Sequence, residues 1–145
     1  MLIRAVIDTN VLFEGLTTQS GACGLVVDAW LNGDFLACIT TALEHEYRDV
    51  LARKLSAARW EEIAPVLGVL LSDAEWVTVY FSWRPVAADP GDDLLVDCAM
   101  NGRAYVVTNN LRDFRPAEQL LGRLGFRAIS PESFAAKLAA QLPES

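Results

Sequence analysis

The sequence has few of the residues on which several common active sites depend. It holds a single histidine, His45, so a triad of serine, histidine and aspartate is nearly excluded. Its cysteines are odd in number, widely spaced and set in apolar surroundings, which favours buried, reduced thiols over a disulfide framework or a zinc site. The three cysteines are Cys23, Cys38 and Cys98.

Several sequence motifs and long segments are also absent. No Gly-x-Gly-x-x-Gly element follows a predicted strand and no Gly-Lys-Ser or Gly-Lys-Thr occurs, which excludes a dinucleotide fold and a P-loop. No apolar run reaches the roughly 18 residues that a membrane span requires. The first residues lead into an apolar strand without a signal-peptide layout, so we expect a cytoplasmic protein without a membrane segment.

The composition fits one domain with a sizeable core, since 52% of the 145 residues are hydrophobic. Only 21% are charged, which favours self-association. The net charge of -7 by itself argues against nucleic-acid binding, because phosphate contacts need lysine and arginine. Five arginines nevertheless crowd residues 103–127, where they either bind phosphate or form a solvated surface.

Apolar periodicity predicts strands that alternate with helices. The predicted strands span residues 2–7, 35–39, 76–81, 104–107 and 126–129. The predicted helices span about 10–16, 21–31, 41–55, 59–71, 93–100, 118–124 and 131–142, the fourth partly broken at Pro65. Residues 84–92 are predicted as a loop and 108–116 as a polar turn. Such alternation predicts an α/β fold with a parallel sheet covered on both faces.

Acidic and amide side chains follow the ends of these strands. Asp8 stands directly after the first strand, and Asn109, Asn110 and Asp113 follow the strand at 104–107. A third acidic segment, at 89–93, leads into a helix. Functional groups in an open parallel sheet gather beyond the carboxyl ends of the strands, so these segments should meet at one edge.

Four carboxylates are candidates for a site at this edge. Asp8 at the mouth of a buried strand is costly unless paired or metal-bound, although it could also cap the next helix. Glu46 lies on an apolar helix face and needs a cation or an arginine partner. Asp93 and Asp97, four residues apart, repel each other unless a cation or solvent intervenes. Such oxygen-only donors favour Mg²⁺ or Mn²⁺ and phosphodiester hydrolysis.

Four segments together resemble the PIN-domain family. They are Asp8-Thr9-Asn10-Val11, residues 43–51 around Glu46, Asp89-Pro90-Gly91-Asp92-Asp93, and residues 106–114 with Thr108-Asn109-Asn110. The resemblance extends to about residue 130 and is greatest to bacterial toxins of toxin–antitoxin pairs related to VapC. It implies a Rossmann-like three-layer α/β/α sandwich with a central parallel sheet. It also implies a divalent-metal ribonuclease that is often dimeric and often inhibited by a small antitoxin.

The resemblance assigns roles to particular residues. Asp8, Glu46 and Asp93 match the three central catalytic acids. The fourth acid of the family usually follows a strand in a Thr-x-Asp pattern, where this chain has Asn110, and Asp113 is a candidate substitute. The metal ligands implied are therefore Asp8, Glu46, Asp93, Asp97, Asn110 and Asp113. The residues that would support the site by hydrogen bonding are Thr9, Asn10 and Thr108.

We therefore predict a single-domain ribonuclease that uses Mg²⁺ or Mn²⁺, acts on single-stranded or structured RNA and is the toxin of a toxin–antitoxin pair. Arg112 and Arg115 are the candidates for RNA binding. A homodimer is also predicted, from an apolar stripe at 134, 138 and 142 that the chain could equally bury on its own sheet. Two alternatives are a PIN fold kept as an interaction module and a haloacid-dehalogenase-like phosphatase. The phosphatase would need an aspartate where Asn10 stands.

Overall fold

A five-stranded parallel sheet forms the centre of the fold. The structure, a computed structural model, describes residues 2–87 and 89–141. The strands are β1 (Arg4–Ile7), β2 (Leu36–Ile39), β3 (Glu75–Trp76), β4 (Tyr105–Val107) and β5 (Ala128–Ile129). They lie in the order β3-β2-β1-β4-β5, and every neighbouring pair is parallel. This arrangement confirms the predicted α/β fold with a central parallel sheet.

Seven α-helices connect or follow the strands in the described part of the chain. They are α1 (Thr9–Thr18), α2 (Gly21–Asn32), α3 (Thr41–Lys54), α4 (Ala57–Ser72), α5 (Pro90–Gly102), α6 (Arg115–Leu121) and α7 (Pro131–Gln141). Short 3-10 helices occupy Leu111–Phe114 and Gly122–Leu124. In β1, Ala5, Val6 and Ile7 are all buried. Because successive strand side chains point to opposite faces, both faces of the sheet are covered at its centre.

The carboxyl ends of β1 and β4 are fixed side by side. Ile7 pairs in register with Val107, and the next backbone N–H, that of Asp8, donates to the Val107 carbonyl at 2.9 Å. On the other side of β1, the hydroxyl of Tyr47 on α3 donates to the Ile7 carbonyl. Burial of Tyr47 in the core therefore anchors the helix that carries Glu46 to the strand that ends at Asp8.

The predicted strand at 76–81 is much shorter in the structure. Glu75 and Trp76 pair with β2, and the backbone N–H of Val77 still donates to the Ile39 carbonyl at 2.7 Å, whereas Tyr80 and Phe81 are exposed. The backbone N–H groups of Tyr80 and Phe81 donate instead to the Asn101 side-chain oxygen at 2.9 and 3.2 Å. The segment thus follows the end of α5, which supplies the hydrogen bonds that a strand partner would have given.

Two helical segments also differ from the sequence prediction. Helix α4 runs through Pro65 without interruption, because Ile63, Leu67 and Leu70 bury one face of it on both sides of the proline. Helix α6 begins at Arg115, inside the segment predicted to be a polar turn. Proline at the second position of α6 explains this early start, since its missing N–H is not needed in the first turn of a helix.

The closing helix α7 packs on its own domain. Phe134 is fully buried and contacts Phe35 edge to face, with ring centroids 5.0 Å apart, and Leu138 is also buried. Leu142, the third residue of the predicted stripe, lies outside the described residues. The described part of the stripe therefore offers no surface to a second copy. None of the described helices combines the length and apolar character needed to cross a membrane.

Candidate functional site

A cavity of about 270 Å³ opens at the carboxyl edge of the sheet and contains four carboxylates. They come from the end of β1, from α3, and from the residue before α5 and its first turn. The residues that line it are Asp8, Thr9, Asn10, Glu46, Val50, Arg53, Lys54, Asp89, Gly91, Asp92 and Leu95. The structure thus brings Asp8 and Glu46 together, as the sequence predicts, and adds Asp89 and Asp92.

Asp8 is a buried carboxylate held by two hydrogen bonds. Asp8 is only 5% exposed, and one of its carboxylate oxygens caps α1 by accepting the backbone N–H of Asn10 at 3.3 Å. The hydroxyl of Thr108 donates to its other oxygen at 2.7 Å. Burial raises the pKa of Asp8 above its usual value, and the Thr108 hydrogen bond opposes this change. Capping and membership of the site are therefore compatible roles of one residue.

Gly91 lies between two of the other carboxylates. A Cβ atom at this position would be 3.3 Å from Glu46 Oε1 and 3.4 Å from Asp89 Oδ1. Asp89 also caps α5, because its Oδ1 accepts the Gly91 backbone N–H at 2.9 Å. Without a side chain at Gly91 the space between Glu46 and Asp89 stays open, whereas a methyl group there would be in close contact with Glu46 Oε1 and in ordinary contact with Asp89 Oδ1.

Asp92 shows the strongest electrostatic effect of the crowding. Burial and the neighbouring charges, Asp8 and Asp89 first among them, raise the pKa of Asp92 from 3.8 to about 7. A carboxyl group with such a pKa is partly protonated near neutral pH. A cation in the cavity would offset the repulsion and favour its ionised form.

Asp93 does not line this cavity, contrary to the prediction. Its Oδ1 accepts the backbone N–H groups of Val86 and Ala87, both at 3.0 Å, and the residue is buried. Successive residues of a helix point about 100° apart, so Asp92 and Asp93 face different surroundings. Asp93 therefore holds the loop before α5, and Asp92 occupies the place in the cavity that the sequence predicted for Asp93.

Asp97 is likewise bound to this loop and does not line the cavity. Its Oδ2 forms an ion pair with Arg84 at 2.7 Å and accepts the Ser82 hydroxyl at 3.1 Å. Its Oδ1 is buried and has no hydrogen-bond partner among the described residues. The expected repulsion between Asp93 and Asp97 is thus relieved by loop hydrogen bonds and an arginine. A cation shared by these two residues is not required.

The three residues predicted to support the site lie at the cavity or contact Asp8. Thr108 is fully buried, and its hydroxyl accepts the Asn110 backbone N–H at 3.0 Å while it donates to Asp8. Thr9 and Asn10 both line the cavity. The Asn10 side-chain oxygen accepts a hydrogen bond from Lys54 at 3.1 Å. Their roles in activity remain predictions.

The turn after β4 lies outside the cavity. Asn110 and Asp113 are both exposed, and neither lines the cavity. The charge of Asp113 nevertheless contributes to the raised pKa values of Asp8 and Asp92, so it lies close enough to affect them. Arg112 and Arg115 are exposed on the same turn, and their predicted role in RNA binding stays a prediction.

The donors in the cavity suit a hydrated divalent cation. Within residues 2–87 and 89–141, no three acidic, histidine or cysteine side chains are already gathered closely enough to bind an ion directly. Mg²⁺, however, keeps several water molecules and is usually held through one or two carboxylates. Four carboxylates around a cavity of this size, with the pKa of one raised to about 7, fit such an ion.

The fold and this cavity define an α/β domain with an acidic site at the carboxyl edge of a parallel sheet. The PIN-domain family model matches residues 4–112, so the chain belongs to the PIN-domain family, whose members are generally nucleases. The fold is similar to that of a chain in a solved structure, the crystal structure of VapBC2 from Rickettsia felis bound to a DNA fragment from the VapBC2 promoter. The TM-score is 0.60 at 13% identity, over 88% of this chain and 98% of that one. No curated protein matches the sequence.

Proposed function

We propose that this chain is a single-domain, metal-dependent endoribonuclease. The observation that carries the proposal is the convergence of four carboxylates on one cavity in a member of a nuclease family. The cation would be Mg²⁺ or Mn²⁺, because the donors are oxygen atoms only. Its ligands would be Asp8, Glu46, Asp89 and Asp92, with Asp92 in place of Asp93.

Hydrolysis of a phosphodiester adds a water oxygen to phosphorus and breaks the bond to one sugar oxygen. A bound Mg²⁺ or Mn²⁺ supplies Lewis-acid chemistry, polarising the phosphate and lowering the pKa of a nearby water. The protein's part is to fix the carboxylates before substrate arrives. Thr108 orients Asp8 by a hydrogen bond, and the cap at the start of α5 orients Asp89. Both contacts reduce the reorganisation needed for the reaction.

The turn after β4 would complete the site at its rim. Asp113 is the better candidate for the family's fourth acid, because its charge acts on Asp8 and Asp92. Asn110 would contribute at most a neutral oxygen. The alternative function, a PIN fold kept as an interaction module, draws its support from this same asparagine.

We further propose that the protein is the toxin of a toxin–antitoxin pair in the cytoplasm, inhibited by a small protein. The support is the similarity in fold to a chain of a VapBC2 complex. Induced expression should arrest bacterial growth, and co-expression of an antitoxin that binds the chain should restore it. The homodimer remains a prediction that light scattering tests.

Cleavage of a single-stranded RNA oligonucleotide distinguishes nuclease from interaction module. The purified chain should cleave the oligonucleotide in the presence of Mn²⁺ or Mg²⁺, and cleavage should stop when EDTA is added. Asp8→Asn should abolish cleavage while the folded state persists, as judged by circular dichroism. An unchanged rate in Asp8→Asn would point to a contaminating nuclease. A wild-type chain that binds RNA without cutting it would instead favour the interaction module.

A further inference from the structure

One wall of the acidic cavity carries positive charge. Arg53 and Lys54, in the last turn of α3, line the cavity together with the four carboxylates. The whole chain has only two lysines, Lys54 and Lys137, and its net charge is -7. Arg53 and Lys54 therefore place positive charge where a polyanionic substrate would otherwise meet only carboxylates and a bound metal ion.

The contacts of Lys54 hold its ammonium group without neutralising it. Lys54 Nζ donates to the Asn10 side-chain oxygen at 3.1 Å and lies 5.1 Å from the centroid of the Phe13 ring. Both partners are uncharged, and Lys54 forms no ion pair within the described part of the chain. An ammonium group has three donors, so two remain for a ligand. Arg53, in contrast, pairs with Asp49 at 3.3 Å.

We propose that Lys54 forms a phosphate subsite beside the carboxylates and binds the phosphate next to the scissile one in a single-stranded RNA. This inference rests on the proposed function. Asn10 and Phe13 position the ammonium group, and Arg53 adds positive charge on the same wall. A strand whose scissile phosphate faces the acids would place a neighbouring phosphate against this wall. Charge-assisted hydrogen bonds to phosphate oxygens would then set the register of the strand.

A purely structural role would explain the same contacts differently. A lysine at the end of a helix interacts favourably with the helix dipole, and its methylene chain can cover an aromatic ring. Such a role predicts that Lys54→Ala lowers the melting temperature without a specific effect on RNA binding. Lys137 provides a matched control. It also lies over an aromatic ring, 5.6 Å from the Tyr105 centroid, at the opposite end of β4 from Thr108.

The test is fluorescence anisotropy of a labelled single-stranded RNA, with cleavage removed by Asp8→Asn in every protein. Adding Lys54→Ala should raise Kd roughly tenfold, as for loss of one charged hydrogen bond. The slope of log Kd against log salt should become shallower by about 0.7, because one phosphate contact is lost. Lys54→Arg should restore most of the affinity, and Lys137→Ala should match the parent.

Equal Kd values for Lys54→Ala and Lys137→Ala would overturn the subsite, as would RNA binding too weak to measure in the parent. So would an equal loss of affinity in Lys54→Ala and Lys54→Arg with the salt slope unchanged. Failure of the proposed function has a different signature. In that case the chain with Asp8 intact cleaves no RNA with either metal, while binding still depends on Lys54.

Discussion

The neighbouring residues Asp92 and Asp93 should respond in opposite ways to the same substitution. In the metal-free protein, the pKa of Asp92 is raised from 3.8 to about 7. The folded state therefore binds this proton more tightly than the unfolded state does. The stability gained from this tighter proton binding is complete below about pH 4 and is lost as pH rises to about 7. Asp92→Asn should remove that loss.

The size of the effect follows from the shift and the exposure of the group. The rise in the pKa of Asp92 from 3.8 to about 7 corresponds to at most about 4 kcal/mol. Asp92 is only partly buried, so solvent screening should reduce this figure at least by half. The substitution also gives up a favourable interaction with the N-terminus of α5, of roughly 0.3–1 kcal/mol. We expect Asp92→Asn to raise the free energy of unfolding by about 1 kcal/mol at pH 7.5, and not at pH 4.

Urea denaturation in EDTA at the two pH values measures this difference. Asp93→Asn is the control, because the carboxylate of Asp93 accepts two backbone hydrogen bonds from the loop. Loss of its charge should weaken both bonds and lower the free energy of unfolding by about 1 kcal/mol at pH 7.5. If Asp92→Asn destabilised the metal-free protein at pH 7.5 as Asp93→Asn does, the crowding argument would be refuted.

Four further substitutions test the surroundings of the site. Gly91→Ala places a methyl group against the carboxylates of Glu46 and Asp89. Mn²⁺ affinity measured by calorimetry should therefore fall several-fold, with little loss of stability. Unchanged affinity would contradict this placement of Gly91. If Asp113 supplies the fourth acid, Asp113→Ala should weaken Mn²⁺ binding, and Asn110→Asp should crowd a filled site without improving turnover. If Asn110 holds the family's fourth position instead, Asn110→Asp should strengthen Mn²⁺ binding. A Mn²⁺ titration of RNA cleavage in which neither variant differs from wild type would remove the turn from the site. Arg84→Ala leaves the buried carboxylate of Asp97 without its ion pair. The free energy of unfolding, measured by urea denaturation, should fall by about 1–3 kcal/mol, a limited loss because Arg84 is itself half-exposed. An unchanged free energy of unfolding would contradict a structural role for the pair.

The sequence was sufficient to predict the edge of the sheet at which the candidate site lies. Asp8 and Thr108 follow strands whose apolar character is unambiguous, and both meet at the carboxyl edge. The choice between Asp92 and Asp93 could not be made in the same way. Both are in the first turn of α5, and which of them faces the cavity depends on the phase of the helix and on the loop that binds Asp93. The sequence does not encode that phase locally.

The errors at the edge of the sheet have a similar origin. Residues 76–81 alternate like a strand, but a strand also needs partners along its whole length. Here the side chain of Asn101 supplies hydrogen bonds to Tyr80 and Phe81 from a helix about twenty residues away. The stripe containing Phe134 likewise fits a dimer surface or the chain's own core. The contact of Phe134 with Phe35, which lies about a hundred residues earlier in the chain, shows that the stripe packs in the chain's own core.

The central claim is that Asp8, Glu46, Asp89 and Asp92 together bind a divalent cation. Isothermal titration calorimetry with Mn²⁺ at pH 7.5 tests it most directly, on the wild-type chain and on Asp92→Asn and Asp93→Asn. The account predicts a saturable site in the wild-type chain, affinity at least tenfold weaker in Asp92→Asn, and affinity close to wild type in Asp93→Asn. No saturable binding in the wild-type chain, or a loss confined to Asp93→Asn, would contradict it.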